Sequence, residues 1–244
     1  MRTLLALFVL VAGCKGQEST APPITSSSPT SSVPPSASST PASSGAAQPV
    51  GGARTFGFDS DAPGSPPAGF ASGKTGDGRE GKWVVKAEPG APSGPNVVAQ
   101  TDADTTDYRF PVLFADQPIA GDLELSVRCK PISGKVDQAC GLVFRLRDAN
   151  NYYITRANAL ENNVRLYYVK DGKRQQIASW SGTVTSGAWH DYRVVSAGDH
   201  FEVYWDGAKV IDQHDKTFTE AGKVGLWTKA DSVTYFDDLK VIPR

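Results

Sequence analysis

Three arginines recur on neighbouring apolar segments: Arg145 closes Gly141-Leu142-Val143-Phe144-Arg145, Arg156 lies within Tyr152 to Asn158, and Arg165 within Val164 to Lys170. A guanidinium is a planar fork of donors that suits hydroxyls and carboxylates, and aromatic rings stack on the apolar face of a pyranose. Tyr152, Asn158 and Tyr167 sit among these arginines, and Trp227 and Lys229 follow near the carboxyl end. Together these side chains are a candidate face for a saccharide, an acidic one included. Catalytic chemistry is harder to find. Two-carboxylate glycoside cleavage needs an acid and a base or nucleophile flanking the scissile bond, and the arginine segments carry no outward acidic pair. Glu161, Asp148, Glu202 and Asp231 are the acids at hand, and Glu161 and Asp148 fall in loops where turn capping competes. His190, His200 and His214 lack the His-Glu-x-x-His spacing of a metal helix, and no Gly-x-Ser-x-Gly elbow occurs. The reading leans away from an enzyme, with a glycoside hydrolase as the class if there is one.

The elements that must position these residues read as strands. Lys82 to Ala87, Asp122 to Cys129, Gly141 to Arg147, Tyr152 to Asn158, Val164 to Lys170, Trp189 to Ser196, Phe201 to Trp205, Lys223 to Thr228 and Val233 to Val241 are short apolar or alternating runs between Gly, Asp, Asn and Pro. Asp171-Gly172 and Asp206-Gly207 are hairpin signals, because both residue types tolerate positive φ. The pattern predicts an all-β fold, an antiparallel two-sheet sandwich. Alternation then assigns faces. Leu142, Phe144 and Leu146 are expected inside, as are Tyr153, Thr155 and Ala157, and Val164, Leu166 and Tyr168. That leaves Arg145, Tyr152, Arg156, Asn158, Arg165 and Tyr167 on one exposed face. Gly76 to Gly81 matches Gly-x-Gly-x-x-Gly, but the strand-like Lys82-Trp83-Val84-Val85 follows where a dinucleotide site needs a helix, so it reads as a loop.

The first 50 of the 244 residues carry only Arg2, Lys15 and Glu18 as charges. Arg2 and the apolar run Leu4 to Ala12 read as a signal peptide, too short to span a bilayer. Val11-Ala12-Gly13-Cys14 resembles the bacterial lipobox, which implies acylation of Cys14 and a membrane partner. From Lys15 to Val50, 11 Ser, 4 Thr and 7 Pro in 36 residues, with no aromatic, predict a disordered tether. The organisation expected is a signal at 1–13, lipidated Cys14 and tether over 14–50, and one sandwich over 51–244, exported and lipid-anchored to a bacterial membrane. The last segment holds 23 basic and 25 acidic residues, a balance that disfavours nucleic acid. Export favours oxidation, so Cys129 and Cys140 are expected to form a disulfide across a hairpin.

A resemblance narrows the fold. Gly141-Leu142-Val143-Phe144-Arg145, Asn151-Tyr152-Tyr153, Arg156 to Tyr167, Ala221 to Ser232 and Phe236-Asp237-Asp238-Leu239 resemble bacterial secreted concanavalin A-like, or laminin G-like, domains, closest to the 3-keto-disaccharide hydrolase domain family. The resemblance covers roughly Phe56 to Arg244 and implies a jelly roll whose concave sheet meets carbohydrate. It also implies alternatives: a glycoside-cleaving enzyme of that family, or a protein-interaction module of laminin G type. The Glu-x-Asp-x-x-Glu strand of the related family 16 glucanases has no counterpart here. Such sandwiches often pin their first and last strands with calcium, and Asp59 with Asp237 or Asp238 resembles that arrangement; Asp59 and Asp238 are the candidate metal ligands, and no other cofactor is expected.

Overall fold

The computed structural model describes residues 52–244, so Cys14, the signal segment and the tether lie outside the described residues. The strands are β1 (Arg54–Phe56), β2 (Phe70–Gly76), β3 (Trp83–Ala87), β4 (Asn96–Gln100), β5 (Arg109–Ala115), β6 (Leu123–Ser133), β7 (Ala139–Asp148), β8 (Asn151–Asn158), β9 (Asn163–Lys170), β10 (Lys173–Ser181), β11 (His190–Ala197), β12 (His200–Trp205), β13 (Ala208–His214), β14 (Lys223–Trp227) and β15 (Val233–Pro243). They form two antiparallel sheets. One runs β13-β12-β11-β6-β15-β4-β3 with β1 beside β15, and the other runs β10-β9-β8-β7-β14-β5-β2. This is the expected all-β jelly-roll sandwich. Every expected strand is present, but β1, β2, β4, β5, β10 and β13 lie outside the expected set. The hairpin signals act as expected: Asp171 and Gly172 link β9 to β10, and Asp206 and Gly207 link β12 to β13, all four with φ between 46° and 83°.

The core between the sheets is built by alternation. Leu125, Val127, Tyr192, Val194, Phe201, Val203 and Phe236 meet Leu142, Phe144, Tyr153, Ala157, Leu166 and Leu226 there, all buried. Burial on this scale supplies the main driving force, roughly 25 cal/mol per Å² of apolar surface. Cys129 in β6 and Cys140 in β7 are disulfide-bonded, with Cα atoms 6.4 Å apart. The expected hairpin ladder is corrected here. β6 pairs with β11 and β15, whereas β7 pairs with β8 and β14, so the bridge staples one sheet to the other.

Two further expectations fail at one point. Arg145 has φ 47°, and the β7–β8 register slips between Phe144 and Asp148 while β14 slips between Lys223 and Gly225. That bulge reverses the alternation, as an inserted residue must. Leu146 moves to the outer face, where it packs with Val143 and Tyr152, and Arg145 turns inward, 1% exposed. Its guanidinium donates to the carbonyls of Gly121 (3.0 Å), Phe218 (2.8 Å) and Gly198 (2.6 Å) and lies 3.3 Å from Asp122. Gly222 must pass close to this bulge, since a Cβ there would sit 2.5 Å from the Arg145 carbonyl carbon.

Candidate functional site

β7, β8 and β9 are neighbours, so the outer face of the seven-stranded sheet gathers most of the expected residues. The registers set Arg165 opposite Arg156, Arg156 opposite Gly141, and Gly141 opposite Trp227. Gly141 leaves that row low, and a Cβ on it would meet Trp227 at 3.2 Å. Arg145 is the one member that the bulge removes.

The face is not the open platform that alternation suggested. Tyr152, Arg156, Asn158, Tyr167 and Trp227 are all buried. Trp227 Nε1 donates to the Tyr152 hydroxyl (3.2 Å), which also bonds Thr75 (2.7 Å), and burial pushes the Tyr152 hydroxyl up to about 12. Arg174 of β10, absent from the expected set, lies across this aromatic floor. Its Cζ is 4.6 Å from the Phe110 and Tyr167 ring centroids and 5.8 Å from that of Trp227, a cation–π arrangement. No carboxylate lies within 4.0 Å of Arg174 among the described residues, and its Nη1 is buried without an acceptor. The only sequence signal for Arg174 is its place two residues after the Asp171-Gly172 turn.

Beside that floor lies a charged cluster. Glu161 Oε2 is 2.9 Å from Arg156 Nη2 and 3.3 Å from Arg165 Nη1, so one carboxylate serves two cross-strand guanidinium groups. Arg156 also donates to Asn163 Oδ1 and to the Tyr167 hydroxyl (3.3 Å). Burial works against ionisation of Glu161, but the hydrogen bond from Asn163 and the charges of Arg156 and Arg165 outweigh it and hold the acid at about 2. Like charges placed opposite each other on a ladder repel, and here an acid answers the opposed arginines. Asn158 Nδ2 donates to Asp137 (2.8 Å), and Lys229 Nζ lies 3.1 Å from Asp137 Oδ2 and also contacts Asp107. Burial raises the proton affinity of Asp137, only partly offset by Lys229 and Arg156. Glu161 and Asp137 are therefore two carboxylates of the cluster displaced in opposite directions, and sequence reading missed Asp137 because it sits in the β6–β7 loop.

The remaining acids have local duties. Asp231 accepts from the backbone N–H groups of Lys135, Val136 and Asp137 (2.6–3.0 Å) and so fixes the loop that carries Asp137. Asp148 caps Asn150 and Asn151. Asp102 binds the buried Arg109 at 2.8 Å, which ties the acidic 102–107 loop to the glycine-rich 76–81 loop through the Arg79 and Glu80 carbonyls. Asp59 accepts from Asn96 N–H (3.0 Å) and Asp238 from Ser93 Oγ (2.7 Å), while Asp237 is raised by burial and by the nearby charges of Asp238 and Asp59. Hard oxygens in that number suit calcium in kind, although the hydrogen bonds from Ser93 and Asn96 already occupy some of them.

Residues 64–242 match the model of the 3-keto-α-glucoside-1,2-lyase-like domain. The chain belongs to that family. Over 89 residues it is 32% identical to the levanase of Bacillus subtilis (strain 168), a stretch covering 36% of this chain and 13% of that relative's length. Among solved structures, the carbohydrate-binding module CBM66 from Bacillus subtilis superposes with a TM-score of 0.55 at 20% identity, covering 70% of this chain and 94% of the module. The exoplasmic/lumenal domain of VIP36, in its Ca²⁺/Man-bound form, gives a TM-score of 0.53 at 13% identity, covering 78% of this chain and 88% of that one. These likenesses establish the jelly roll of this family member.

Proposed function

We propose that this chain is a lipid-anchored envelope protein whose jelly roll binds a saccharide on the outer face of the seven-stranded sheet. The observation that carries the reading is Glu161 held between Arg156 and Arg165 at the partly exposed edge of a buried polar cluster. Sugar hydroxyls both donate and accept, and a carboxylate between two guanidinium forks presents acceptor and donors a few ångströms apart. The fold shared with a carbohydrate-binding module and with a Ca²⁺/Man-bound domain supports the same reading. Arg165 and Glu161, the partly exposed members, form the contact set, the buried Arg156, Asn158, Tyr167 and Lys229 form its support, and Tyr152 and Trp227 form the floor beneath. Binding to a glycan panel, measured calorimetrically, should weaken more than tenfold, about 1.4 kcal/mol, in both Arg156→Ala and Arg165→Ala. Unchanged binding in both variants rejects this face.

A second reading rests on the displaced carboxylates. Asp137, raised by burial, is suited to hold a proton and Glu161 to remain ionised, the division of labour of an acid–base pair. On this reading the chain cleaves 3-keto-glucosides, as its family's description suggests. Incubation with a 3-keto-α-glucoside separates the two: product release that is lost in Asp137→Asn favours the enzyme, and binding without release favours the binding module.

Two subsidiary proposals complete the picture. Cys14 carries lipid and becomes the first residue of the mature protein, which the intact mass of membrane-extracted protein tests. A calcium ion between Asp59 and Asp238 relieves the mutual charge around Asp237. Calcium should then raise the melting temperature and a chelator lower it, and no shift in either direction rejects the ion.

A further inference from the structure

The β12–β13 hairpin forms one end of the eight-stranded sheet, far in sequence from the polar cluster on the other sheet. Its register sets His200 opposite His214 and Glu202 opposite Asp212. His200 and Glu202 are two residues apart, as are Asp212 and His214, so strand alternation turns each pair to one side. That side is outward, because Phe201, Val203 and Ile211 point into the core. Cross-strand pairing thus makes a square of two imidazoles and two carboxylates from residues whose spacing in the chain shows no ligand pattern.

The side chains converge. The His200 and His214 rings stack with centroids 4.6 Å apart, and His200 Nε2 is 2.7 Å from Asp212 Oδ1. The ligand atoms of His200, Glu202 and Asp212 all lie within 4.8 Å of one another. The Lys209 ammonium lies 2.9 Å from Glu202 Oε1 and 2.6 Å from Asp212 Oδ2. Carboxylates placed opposite each other on a ladder repel, so this square holds a cation already, on a flexible side chain that is 43% exposed.

We propose that His200, Glu202 and Asp212 bind a divalent transition ion of the zinc class, which displaces the Lys209 ammonium and leaves a fourth position to water; His214, whose Nδ1 lies 3.1 Å from Asp199 Oδ1, stacks on His200 and positions its ring. Mixed imidazole and carboxylate donors suit zinc, with bonds of about 2.0–2.2 Å that put neighbouring ligand atoms roughly 3.3–3.6 Å apart, so these side chains close in from their 4.8 Å spread when the ion binds. Calcium and magnesium, which demand six or more oxygens, find too few here. A bound ion would clamp the edge strand β13 to β12.

The test uses the untagged full chain, freed of metal by a chelator and titrated calorimetrically with zinc chloride, with calcium chloride in parallel. Zinc should bind with a micromolar dissociation constant and raise the melting temperature, because it binds only the folded register. The double variant His200→Ala, His214→Ala should lose more than about tenfold in affinity for one equivalent, and Lys209→Met should bind zinc more tightly than wild type. Calcium should not compete at this square. Zinc binding that is equal in wild type and the double histidine variant overturns the site. Should the double variant fail to fold, Lys209→Met, which keeps all three ligands, decides: affinity no greater than wild type overturns the proposal.

Discussion

On the outer face of the seven-stranded sheet, Arg156 is 1% exposed and bonds Glu161, Asn163 and the Tyr167 hydroxyl at once. On the outer face of the eight-stranded sheet, Arg193 keeps 33% of its side chain open, lies 3.4 Å from Glu124, and covers the Tyr204 ring at 3.7 Å. A cavity of about 500 Å³ opens there, lined by Arg128, Arg193, Tyr204 and Lys240. Both faces carry arginine, acid and tyrosine. They differ in what surrounds the charges. On the first face Arg156 and Asp137 are shut away from water, so each of these two charges depends on named protein partners. On the second face water remains a partner to every ion pair, and Glu124 is shared between Arg193 and Arg244. That cavity therefore lies on the face whose charges are already answered by one another and by solvent, and the buried charged cluster lies on the other.

The sharpest way to break this comparison is to delete the buried member. Arg156→Ala leaves Glu161, Asn163 and Tyr167 without their shared donor, and removing one partner of a buried pair costs about 3–4 kcal/mol. The lower end applies because Glu161 is 39% exposed and can rehydrate. Urea unfolding followed by tryptophan fluorescence measures the loss. A destabilisation below 1 kcal/mol would mean that the two faces are not different in kind.

Next in size is the staple between the sheets. Cys129→Ala with Cys140→Ala opens a ring of about a dozen residues, for which loop-closure entropy gives roughly 3 kcal/mol. The loss should appear equally for probes on either sheet, because the bond joins β6 to β7 across the core.

The fold was legible wherever alternation ran uninterrupted, and the site was legible up to the first bulge. Val164 to Lys170 shows its inner and outer faces directly in the chain, and Tyr152 to Asn158 shows them once Arg156 is kept out of the core. Arg145 does not, because its reversal comes from a positive φ and a register slip beside the tightly packed Gly222, a tertiary feature with no local signature. Arg174 and Asp137 were hidden for a related reason: a hairpin and a loop bring them to the face, and loops carry no period. β5 escaped notice because it is buried on both faces, from Phe110 and Val112 on one side to Leu113 and Ala115 on the other, so its residues do not alternate in polarity. Burial of the aromatic floor was illegible for the same reason, since alternation reports which face a side chain takes and not what lies over it.

A smaller effect sharpens the comparison through pH. Glu161 is held at about 2 against an ordinary 4.5. A carboxylate with a depressed folded value contributes stability that is complete above the unfolded value and lost as pH falls toward the folded one. Glu161→Gln should therefore flatten the acid limb of the stability curve between about pH 4.5 and 2. Exposure screens the interaction, so the difference at neutral pH should stay near 1 kcal/mol or below. Chemical unfolding at pH 7, 4 and 3 for both proteins measures it, and parallel curves would remove Glu161 as the ion that the two arginines share.

The smallest effect belongs to the other face. Arg193→Ala removes an ion pair to Glu124 and a stacked guanidinium on Tyr204, both with solvent access. Exposed pairs contribute about 0.2–1 kcal/mol and weaken with salt, and a cation over an exposed ring adds a similar amount. Glu124 keeps Arg244 at 2.9 Å after the substitution, so no acid is stranded. The expected loss is about 0.5–1 kcal/mol at low salt, shrinking toward the lower figure at high salt, with saccharide binding unaltered. Arg156→Ala, which removes a guanidinium that is itself 1% exposed, should lose stability by nearly the same amount at both salt concentrations. The contrast in salt dependence is the decisive quantity, because it depends on solvent access alone and not on how many contacts either arginine makes. If Arg193→Ala instead cost as much as Arg156→Ala and ignored salt, solvent access would not be what separates the two faces.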